Sequence, residues 1–369
     1  MALIHDWLTG MRGGEKVLEA LCQLLPDAHL FTLVHVPGAT TPWIEGRPVH
    51  TSFIQHLPWA SRLYRHYLPL FPVAIEQFDL DAYDLVISCS HCAAKSVVVA
   101  GRARHLCYCL TPMRYAWDQF DAYFGPVKVG TVASRVLKPL MRAMARWDRA
   151  TAARAHRYLA ISQHVARRIG LYYNRRSTIV YPPVDTCFYT PPTSGRTVDP
   201  SVLVVSALVP YKRVERAIAA ARLAGVKLLI VGDGPERGAL EPLAGDDVRF
   251  LGWRSNEEIR DLYRSATAVV LPGEEDFGIV PVEAQACGTP VVALARGGAL
   301  DTIVDGETGV LVTEGTEQAM ADGLRRAAAV TWDSTRIRAH AERFSRERFR
   351  REMSAIIEET VAAPPDQRW

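Results

Sequence analysis

The sequence lacks the long apolar runs of a membrane-spanning protein. No run of eighteen apolar residues occurs in its 369 residues, so no segment is predicted to cross a bilayer. The chain begins almost directly with the strand-like run Ala2-Leu3-Ile4, and we therefore expect no signal peptide. The seven cysteines are an odd number without a disulfide-like framework, which indicates a reducing compartment. These absences favour a cytoplasmic protein.

Clear metal-binding patterns are absent too. Four cysteines form a C-x2-C pair and a C-x-C pair, a spacing that can indicate zinc: Cys89, Cys92, Cys107 and Cys109. Both pairs lie in or beside apolar strand-like runs, so buried thiols in neighbouring strands explain them better. The sequence Asp79-Leu80-Asp81 has the form of a D-x-D metal motif but is interpreted as a polar turn. No metal site is therefore predicted.

The composition is that of an ordinary globular protein. Apolar residues make up 49% and charged residues 22% of the chain, and the formal net charge is only +3. A chain of 369 residues exceeds what one hydrophobic core usually fills, which predicts two domains. The proline-rich segment 181–192 is the best candidate for the boundary between them.

The stretch 272–298 indicates a ligand site. It follows an apolar strand-like run, contains a helix predicted over 280–286 and a strand predicted over 290–294, and ends at Gly297-Gly298. Both of its loops then lie at the carboxyl edge of a parallel sheet, where open α/β sheets bind ligands. Glu275 and Glu283 stand at this edge, and a carboxylate that is partly buried there can accept hydrogen bonds from sugar hydroxyls. Acidic residues are also common in first helical turns, and this alternative stays open.

A second candidate site precedes a predicted helix of the same half. Strands and helices alternate over 201–264, and the loop Pro210-Tyr211-Lys212-Arg213 lies at the start of a helix predicted over 213–224. Two cations beside helix N–H groups form a phosphate site, which we favour over surface charge because the loop follows a strand. A phosphate site and two sugar-binding carboxylates in one domain imply a nucleotide sugar.

The first half carries two further features. Gly13 and Gly14 separate the first strand from a helix, a layout that suits either an anion or sugar site or only a tight turn. The helix predicted over 130–157 combines basic residues with an apolar stripe formed by Val136, Leu140, Met144 and Trp147. Such a helix favours an anionic membrane surface over nucleic acid, and packing on its own domain is the alternative.

Together these motifs resemble the retaining glycosyltransferases of family 4. Glu275-x7-Glu283 matches the E-x7-E motif of that family, and SALVPYKR at 206–213 matches its phosphate loop. Further similar segments are His5-Asp6-Trp7-Leu8, Gly13-Gly14, TPMRYAWD at 111–118 and Gly297-Gly298, so the likeness covers essentially the whole chain. The sequence looks closest to bacterial mannosyltransferases that extend lipid-linked oligosaccharides.

The resemblance implies the GT-B fold, an α/β architecture of two Rossmann-like domains that face a central cleft. Residues 1–185 would form the acceptor-binding domain and residues 186–345 the nucleotide-sugar-binding domain. Amphipathic helices are predicted at about 316–328 and 335–360. The resemblance implies that the last segment, 346–369, packs back on the first domain.

The resemblance also implies roles for individual residues. Lys212, assisted by Arg213, would stabilise the departing diphosphate, and Glu275 would bind the donor hexose. These three are the predicted catalytic residues. The predicted donor site contains them together with Ser206, Pro210, Gly252, Phe277, Gly278, Ile279, Val280 and Glu283, of which Glu283 would bind the ribose. The predicted acceptor site contains His5, Gly13, Gly14, Met113, Arg114 and Tyr115.

The implied activity is hexosyl transfer with retention of configuration, without a metal or other cofactor and without a protein nucleophile. GDP-mannose is the implied donor, and a UDP-hexose is the alternative. The acceptor would be a lipid-linked or other oligosaccharide of cell-surface polysaccharide synthesis. The enzyme would be peripheral at the inner face of the plasma membrane, where it contacts anionic lipid, and would have no nucleic-acid partner.

Two positions depart from the family pattern. Ala207 replaces an arginine that many members carry, so Lys212 and Arg213 would hold the diphosphate alone. Leu110 replaces a histidine that often precedes Thr-Pro, and the histidines that could substitute for it are His5, His91 and His105. A nucleotide-sugar-binding relative with impaired catalysis is therefore a further hypothesis.

Overall fold

The chain folds into two compact units, seen in a computed structural model that describes residues 1–193, 198–364 and 367–369. The first unit comprises Met1–Pro183 together with Phe349–Trp369, and the second comprises Val184–Arg348. The boundaries expected after residues 185 and 345 differ from these by only a few residues. Residues 365 and 366 of the predicted C-terminal segment lie outside the described residues.

A seven-stranded parallel sheet forms the centre of the first unit, in the order β3-β2-β1-β4-β5-β6-β7. The strands are β1 (Ala2–His5), β2 (His29–Thr32), β3 (Val49–Thr51), β4 (Leu85–Ser90), β5 (Arg104–Cys109), β6 (Arg157–Ala160) and β7 (Thr178–Ile179). Every residue of β1, β4, β5 and β6 is buried, as expected for parallel strands with helices on both faces.

Nine helices of this unit precede the domain boundary in the described chain. They are α1 (Gly13–Leu24), α2 (Pro42–Glu45), α3 (Ala60–Leu63), α4 (Phe71–Glu76), α5 (Arg114–Trp117), α6 (Phe120–Phe124), α7 (Pro126–Val129), α8 (Thr131–Thr151) and α9 (Gln163–Tyr173). Short 3-10 helices cover Phe53–His56, Tyr64–Leu70, Ala94–Ser96 and Ala152–Arg154. No helix among the described residues is both long enough and apolar enough to span a membrane.

A six-stranded parallel sheet forms the centre of the second unit, in the order β10-β9-β8-β11-β12-β13. The strands are β8 (Asp199–Val205), β9 (Lys227–Val231), β10 (Val248–Gly252), β11 (Ala266–Leu271), β12 (Val291–Leu294) and β13 (Gly309–Val312). The helices are α10 (Val214–Ala224), α11 (Arg237–Leu240), α12 (Asn256–Ser265), α13 (Ile279–Ala286), α14 (Ala299–Thr302), α15 (Glu317–Ala329) and α16 (Ser334–Glu342). Short 3-10 helices cover Pro210–Lys212 and Glu241–Leu243.

The single helix predicted at about 335–360 is wrong, because the chain forms two helices there, α16 and α17 (Arg346–Ala362). The residues between them pair with Val184 instead: its N–H donates to the carbonyl of Phe344 at 2.9 Å, and its carbonyl accepts from Arg346 at 3.2 Å. The last helix belongs largely to the first unit, which includes Phe349–Trp369. Within the first unit, the guanidinium of Arg157 donates to Glu359 at 2.7 Å.

The basic helix predicted over 130–157 ends earlier, at Thr151. The backbone N–H of His156 donates to the carbonyl of His105 in β5 at 2.8 Å, so strand pairing replaces the helix there. The apolar stripe also has a different role from the one expected of a membrane helix. Met144 is buried in the hydrophobic core of the unit, and Leu140 and Trp147 pack against that core.

A buried ion pair attaches α8 to the 3-10 helix Ala94–Ser96, which follows β4. The ammonium of Lys95 lies 2.9 Å from a carboxylate oxygen of Asp148, and both side chains are fully buried. The ammonium also donates to the carbonyl of Asp148 at 2.6 Å, and the indole N–H of Trp117 donates to the second carboxylate oxygen at 2.7 Å. Asp148 is the only acidic residue of α8, so the charges that this helix exposes are all positive.

Candidate active site

The strand order places two loops of the second unit side by side. The order reverses between β8 and β11, which are neighbours in the sheet. From β8 the chain adds β9 and β10 on one side, and it then returns to add β11, β12 and β13 on the other. In doubly wound sheets ligands bind at the carboxyl ends of the strands where the order reverses. The loop after β8 carries the predicted phosphate site, and the loop after β11 carries Glu275.

The loop after β8 is held in one conformation by backbone contacts. The N–H of Leu208 donates to the carbonyl of Asp233 at 3.0 Å, and the carbonyl of Leu208 accepts from Glu236 at 3.1 Å. The 3-10 turn Pro210–Lys212 follows, and α10 begins after Arg213, one residue later than predicted. Arg213 has a φ of 56°, in the left-handed region that few residues other than glycine occupy. A strained residue of this kind persists only where the surrounding structure holds it.

Lys212 and Glu275 form an ion pair at this edge of the sheet, through the ammonium and Oε1. Their side chains are only 17% and 16% exposed, so the pair is partly shielded from solvent. The neighbouring Arg213 is 55% exposed and lies 3.5 Å from Glu215. Lys212 is therefore the cation of the loop that an ion pair fixes in position, while Arg213 remains at the surface.

The Glu275 loop depends on glycines for its close packing. The N–H of Gly298 donates to the carbonyl of Glu275 at 2.7 Å. A methyl group on Gly297 would overlap that carbonyl, and one on Gly298 would overlap the backbone of Phe277. The two loops predicted from the stretch 272–298 thus meet at the sheet edge, as the sequence indicated.

Helix α13 begins beside Glu275 and carries Glu283. Gly278 precedes it with a φ of 89°, which favours glycine. The first N–H groups of a helix have no partner within the helix, so Ile279 and Val280 place donors at the carboxyl edge. The side chain of Phe277 is buried and its ring packs 5.6 Å from that of Phe344, so only its backbone can contact a ligand there.

Glu283 is more buried than the sequence indicated, with 4% of its surface exposed. One of its carboxylate oxygens accepts a hydrogen bond from the hydroxyl of Tyr263 at 3.2 Å. Burial, together with the charge of Glu283, holds the pKa of Tyr263 well above its usual value, so this hydroxyl keeps its proton and donates. Gly252 lies at the end of β10, where its carbonyl accepts from Gly232 at 2.8 Å.

Two residues of the predicted acceptor site are not accessible in the first unit. His5 is fully buried, with Nδ1 3.1 Å from the carbonyl oxygen of Cys89, and Met113 is part of the hydrophobic core. The hydroxyl of Tyr115 is also engaged, 2.6 Å from Sγ of Cys92. Packing within the unit thus already engages these three side chains, and their role in acceptor binding stays a prediction.

The remaining acceptor candidates lie at the start of two helices. Helix α1 begins at Gly13 and α5 begins at Arg114, which is half-buried. A methyl group on Gly14 would lie 2.9 Å from Cδ1 of Leu110 and 3.5 Å from the ring of His5. The glycine therefore permits close approach of the loop to the strand ends, where Leu110 provides an apolar surface.

Sequence reasoning did not identify a pair of side chains at the carboxyl ends of β1 and β4. Nδ1 of His91 lies 3.0 Å from a carboxylate oxygen of Asp6. Burial alone would raise the pKa of Asp6, but the neighbouring His91, together with His5, outweighs this and lowers it below the usual value. His91 appeared only as one of three histidines that could substitute for Leu110. Its position directly after a predicted strand was the available signal.

The four cysteines with zinc-like spacing are buried thiols, as the sequence predicted. Cys89, Cys92, Cys107 and Cys109 are free and buried. No group of three or more histidine, cysteine, aspartate or glutamate side chains in the described ranges could hold a metal ion. The expectation of metal-independent chemistry remains a prediction.

Part of the chain is similar in sequence to known glycosyltransferases. Residues 193–343 match the family model of the Glycosyl transferases group 1, a stretch that covers less than half of the chain. The D-inositol 3-phosphate glycosyltransferase of Mycobacteroides abscessus is 34% identical over 196 residues, which are 43% of this chain and 44% of that protein. Its counterpart in Mycolicibacterium smegmatis is 38% identical over 157 residues, 37% and 36% of the two chains. The chain thus spans less than half the length of either relative.

The fold is similar to that of two solved structures at low sequence identity. HepE from Anabaena, in complex with UDP and glucose, superposes with a TM-score of 0.70 at 21% identity over 97% of this chain and 99% of its own. Sucrose-phosphate synthase from Thermosynechococcus elongatus gives a TM-score of 0.70 at 19% identity over 99% and 100% of the two chains. These likenesses confirm the predicted GT-B fold.

Proposed function

We propose that this protein is a retaining hexosyltransferase that transfers a hexose from a nucleotide sugar to a hydroxyl of a glycosyl acceptor. The observation that carries the proposal is the ion pair of Lys212 and Glu275 where the strand order of the second unit reverses. A cation for a diphosphate and a carboxylate for sugar hydroxyls lie together there, next to the N-terminus of α13. The family match over 193–343 covers the same residues.

In this proposal the donor is bound by the second unit. Lys212 binds the diphosphate and, with Arg213, neutralises the charge that develops as the C1–O bond breaks. Glu275 then exchanges its bond to Lys212 for hydrogen bonds from the hexose hydroxyls. Glu283 binds the ribose, with Tyr263 fixing one of its oxygens. The cations supply the positive charge that the leaving group needs, so we propose transfer without a metal and without a protein nucleophile.

Two donors are consistent with this site. GDP-mannose follows from the resemblance to lipid-linked-oligosaccharide mannosyltransferases, and a UDP-hexose follows equally from HepE, whose structure was solved in complex with UDP and glucose. A binding-only relative is the third alternative, because Leu110 replaces a histidine of the family pattern. A binding titration and a turnover assay together distinguish all three.

The test is isothermal calorimetry with GDP, UDP, GDP-mannose and UDP-glucose, followed by an assay of nucleoside diphosphate release with glycoside acceptors. We expect one nucleotide pair to bind, and ligand at a hundred times its Kd to stabilise the protein by about 2.7 kcal/mol. Selective binding of the guanine pair supports the mannosyltransferase, and selective binding of the uracil pair supports the alternative. Binding without turnover supports the impaired relative. The absence of any nucleotide binding contradicts the proposal.

We further propose that α8 brings the first unit to an anionic membrane at the inner face of the plasma membrane. Leu140, Met144 and Trp147 of the apolar stripe pack in or against the core, so this proposal rests on the exposed face, which includes Val136. That face carries Arg135, Lys138, Arg142, Arg146 and Arg149, all exposed. Val132 and Val136 are 76% and 66% exposed beside them, and Val127 in α7 is 97% exposed. Cations around exposed apolar side chains fit an anionic lipid surface.

Neutralising three of these cations is expected to weaken vesicle binding. Each basic residue near an anionic surface contributes about 1 kcal/mol, so the triple variant Arg135→Gln, Lys138→Gln, Arg142→Gln should bind about a hundred-fold less tightly. The measurement is co-sedimentation with phosphatidylcholine vesicles with and without phosphatidylglycerol. A matched control, Arg222→Gln, Lys227→Gln, Arg249→Gln, removes equal charge from the second unit and should bind as the wild type does. Equal loss in both variants contradicts a specific role for α8.

A further inference from the structure

The strand order of the first unit reverses between β1 and β4. The chain leaves β1 at Asp6 and leaves β4 at His91, so both residues lie at the carboxyl edge where such sheets bind ligands. Helix α1 starts nearby, since a methyl group on Gly14 would lie 3.5 Å from the ring of His5. The Asp6–His91 pair therefore lies at the strand reversal of the first unit. In the second unit the corresponding position is taken by the loop with Lys212 and the loop with Glu275.

Asp6 is held as a carboxylate. Its side chain is fully buried, and four consecutive backbone N–H groups donate to it over 2.6–2.9 Å, those of His91, Cys92, Ala93 and Ala94. Hydrogen bonds of this kind stabilise the charged form of a carboxylate, and a carboxylate can only accept. Nδ1 of His91, 3.0 Å away, must then carry the proton that it shares with Asp6.

When the ring is neutral, this contact leaves Nε2 as the acceptor nitrogen of His91. In a neutral imidazole one ring nitrogen donates and the other accepts, and the donor here is Nδ1. The ring of Trp7 packs edge-on at 4.4 Å and that of His5 lies at 5.7 Å, so the imidazole is held on its sides. The side chain remains 27% exposed, whereas that of Asp6 is not exposed at all.

We infer that Nε2 of His91 accepts a hydrogen bond from a hydroxyl of the glycosyl acceptor, and that Asp6 is the positioning residue that sets its tautomer and orientation. The inference rests on the proposed function, in which the donor belongs to the second unit and the acceptor to the first. The inference adds His91 to the proposed acceptor site, where the side chain of Leu110 has no polar atom. The chemistry recognised is that of a sugar or polyol hydroxyl, which donates to a neutral imidazole nitrogen.

The first test is the tautomer itself, read from long-range ¹⁵N–¹H spectra of the histidine side chains at mildly alkaline pH. The His91 signals are assigned by their loss in His91→Asn. We expect Nε2 of His91 to be unprotonated and to shift on addition of millimolar methyl α-D-mannopyranoside, methyl α-D-glucopyranoside or inositol 3-phosphate. A proton on Nε2 overturns the inference, and so does the absence of a shift with all three probes.

The second test separates the two ring nitrogens. His91→Asn keeps a donor to Asp6 but removes Nε2, and His91→Gln keeps a polar group near Nε2 but removes the bond to Asp6. We expect His91→Asn to raise the acceptor KM about ten-fold, the effect of one lost hydrogen bond, and His91→Gln to restore part of it. The Kd of the nucleotide sugar should not change. A loss that falls only on kcat, or on donor binding, contradicts the acceptor role.

A matched control is available in the same unit. His35 also pairs with a carboxylate, 2.9 Å from Glu45, but belongs to neither loop at the strand reversal. His35→Asn should leave both the acceptor KM and the spectra with glycosides unchanged. If no nucleotide binds to the wild type, the proposed function fails by itself. The glycoside-dependent shift of His91 is still measured in that case.

Discussion

Replacement of Lys212 by alanine is expected to lower kcat for hexose transfer by about a hundred- to a thousand-fold. The ammonium is held by Glu275 in the proposed phosphate loop, and it would meet the charge of the departing diphosphate where water is partly excluded. Binding of the nucleoside diphosphate should weaken about ten-fold, since one charge-assisted hydrogen bond is lost. Arg213→Ala should have a smaller effect, because that guanidinium is 55% exposed.

The ion pair makes the matching change at Glu275 distinctive. In Glu275→Gln the ammonium of Lys212 loses its charged partner and is more available to a diphosphate. Nucleoside diphosphate should therefore bind at least as tightly as to the wild type, while hexose transfer falls strongly. Calorimetry and steady-state kinetics on the same preparations measure both. Weaker binding of UDP or GDP to Glu275→Gln would contradict this description of the pair.

The control for both changes is Lys227→Ala. Lys227 is an exposed lysine at the first residue of β9, at the amino edge of the same sheet. The change Lys227→Ala removes one positive charge from the second unit without altering either loop, so nucleotide binding and hexose transfer should match the wild type. A loss of activity in Lys227→Ala similar to that in Lys212→Ala would mean that net charge, rather than position, matters.

Lys95→Ala is expected to destabilise the first unit by about 3–5 kcal/mol. The change leaves the carboxylate of Asp148 buried without the cation that balances it, and the two side chains are fully buried. The expected signature is loss of amide hydrogen-exchange protection in α8 and β4, measured by mass spectrometry, together with a lower urea midpoint. The second unit should keep its protection, because Lys95 and Asp148 both belong to the first.

Two comparisons separate the pair from a general effect of losing a lysine. The double change Lys95→Met, Asp148→Asn removes both charges and should be less destabilising than Lys95→Ala. Arg102→Ala removes an exposed ion pair, since Arg102 and Asp84 are 63% and 85% exposed, and should cost less than about 1 kcal/mol. A double variant as unstable as the single one would show that packing, and not the unbalanced charge, dominates.

Much of the local structure around the proposed donor site could be predicted from sequence because its elements are consecutive. The helix start at Ile279, the glycines that follow β12 and the position of Glu283 on α13 all lie within one strand–loop–helix unit. The errors arose where long-range contacts decided the outcome. The break between α16 and α17 depends on pairing with Val184, and the early end of α8 depends on pairing of His156 with β5. Neither partner is near in sequence.

The packing of the proposed acceptor residues could be predicted less well for the same reason. His5 and Met113 lie in segments that resemble family motifs, but whether a side chain faces solvent is set by what packs on it. The partner of His91 is Asp6, which lies 85 positions earlier in the chain. A histidine after a strand is common, and only the neighbouring carboxylate distinguishes this one.

The sequence by itself determined the α/β class, the two-domain division and the spacing of Glu275 and Glu283, because apolar periodicity and turn residues act locally. The tertiary structure decided which charges meet. Lys212 and Glu275 are 63 residues apart, and Asp6 and His91 are 85 apart, yet each pair lies where two strands become neighbours across a reversal in sheet order. Lys95 likewise removes the one acidic side chain of α8 from the surface, which leaves the exposed face of that helix entirely basic. Crossover connections bring these distant residues together.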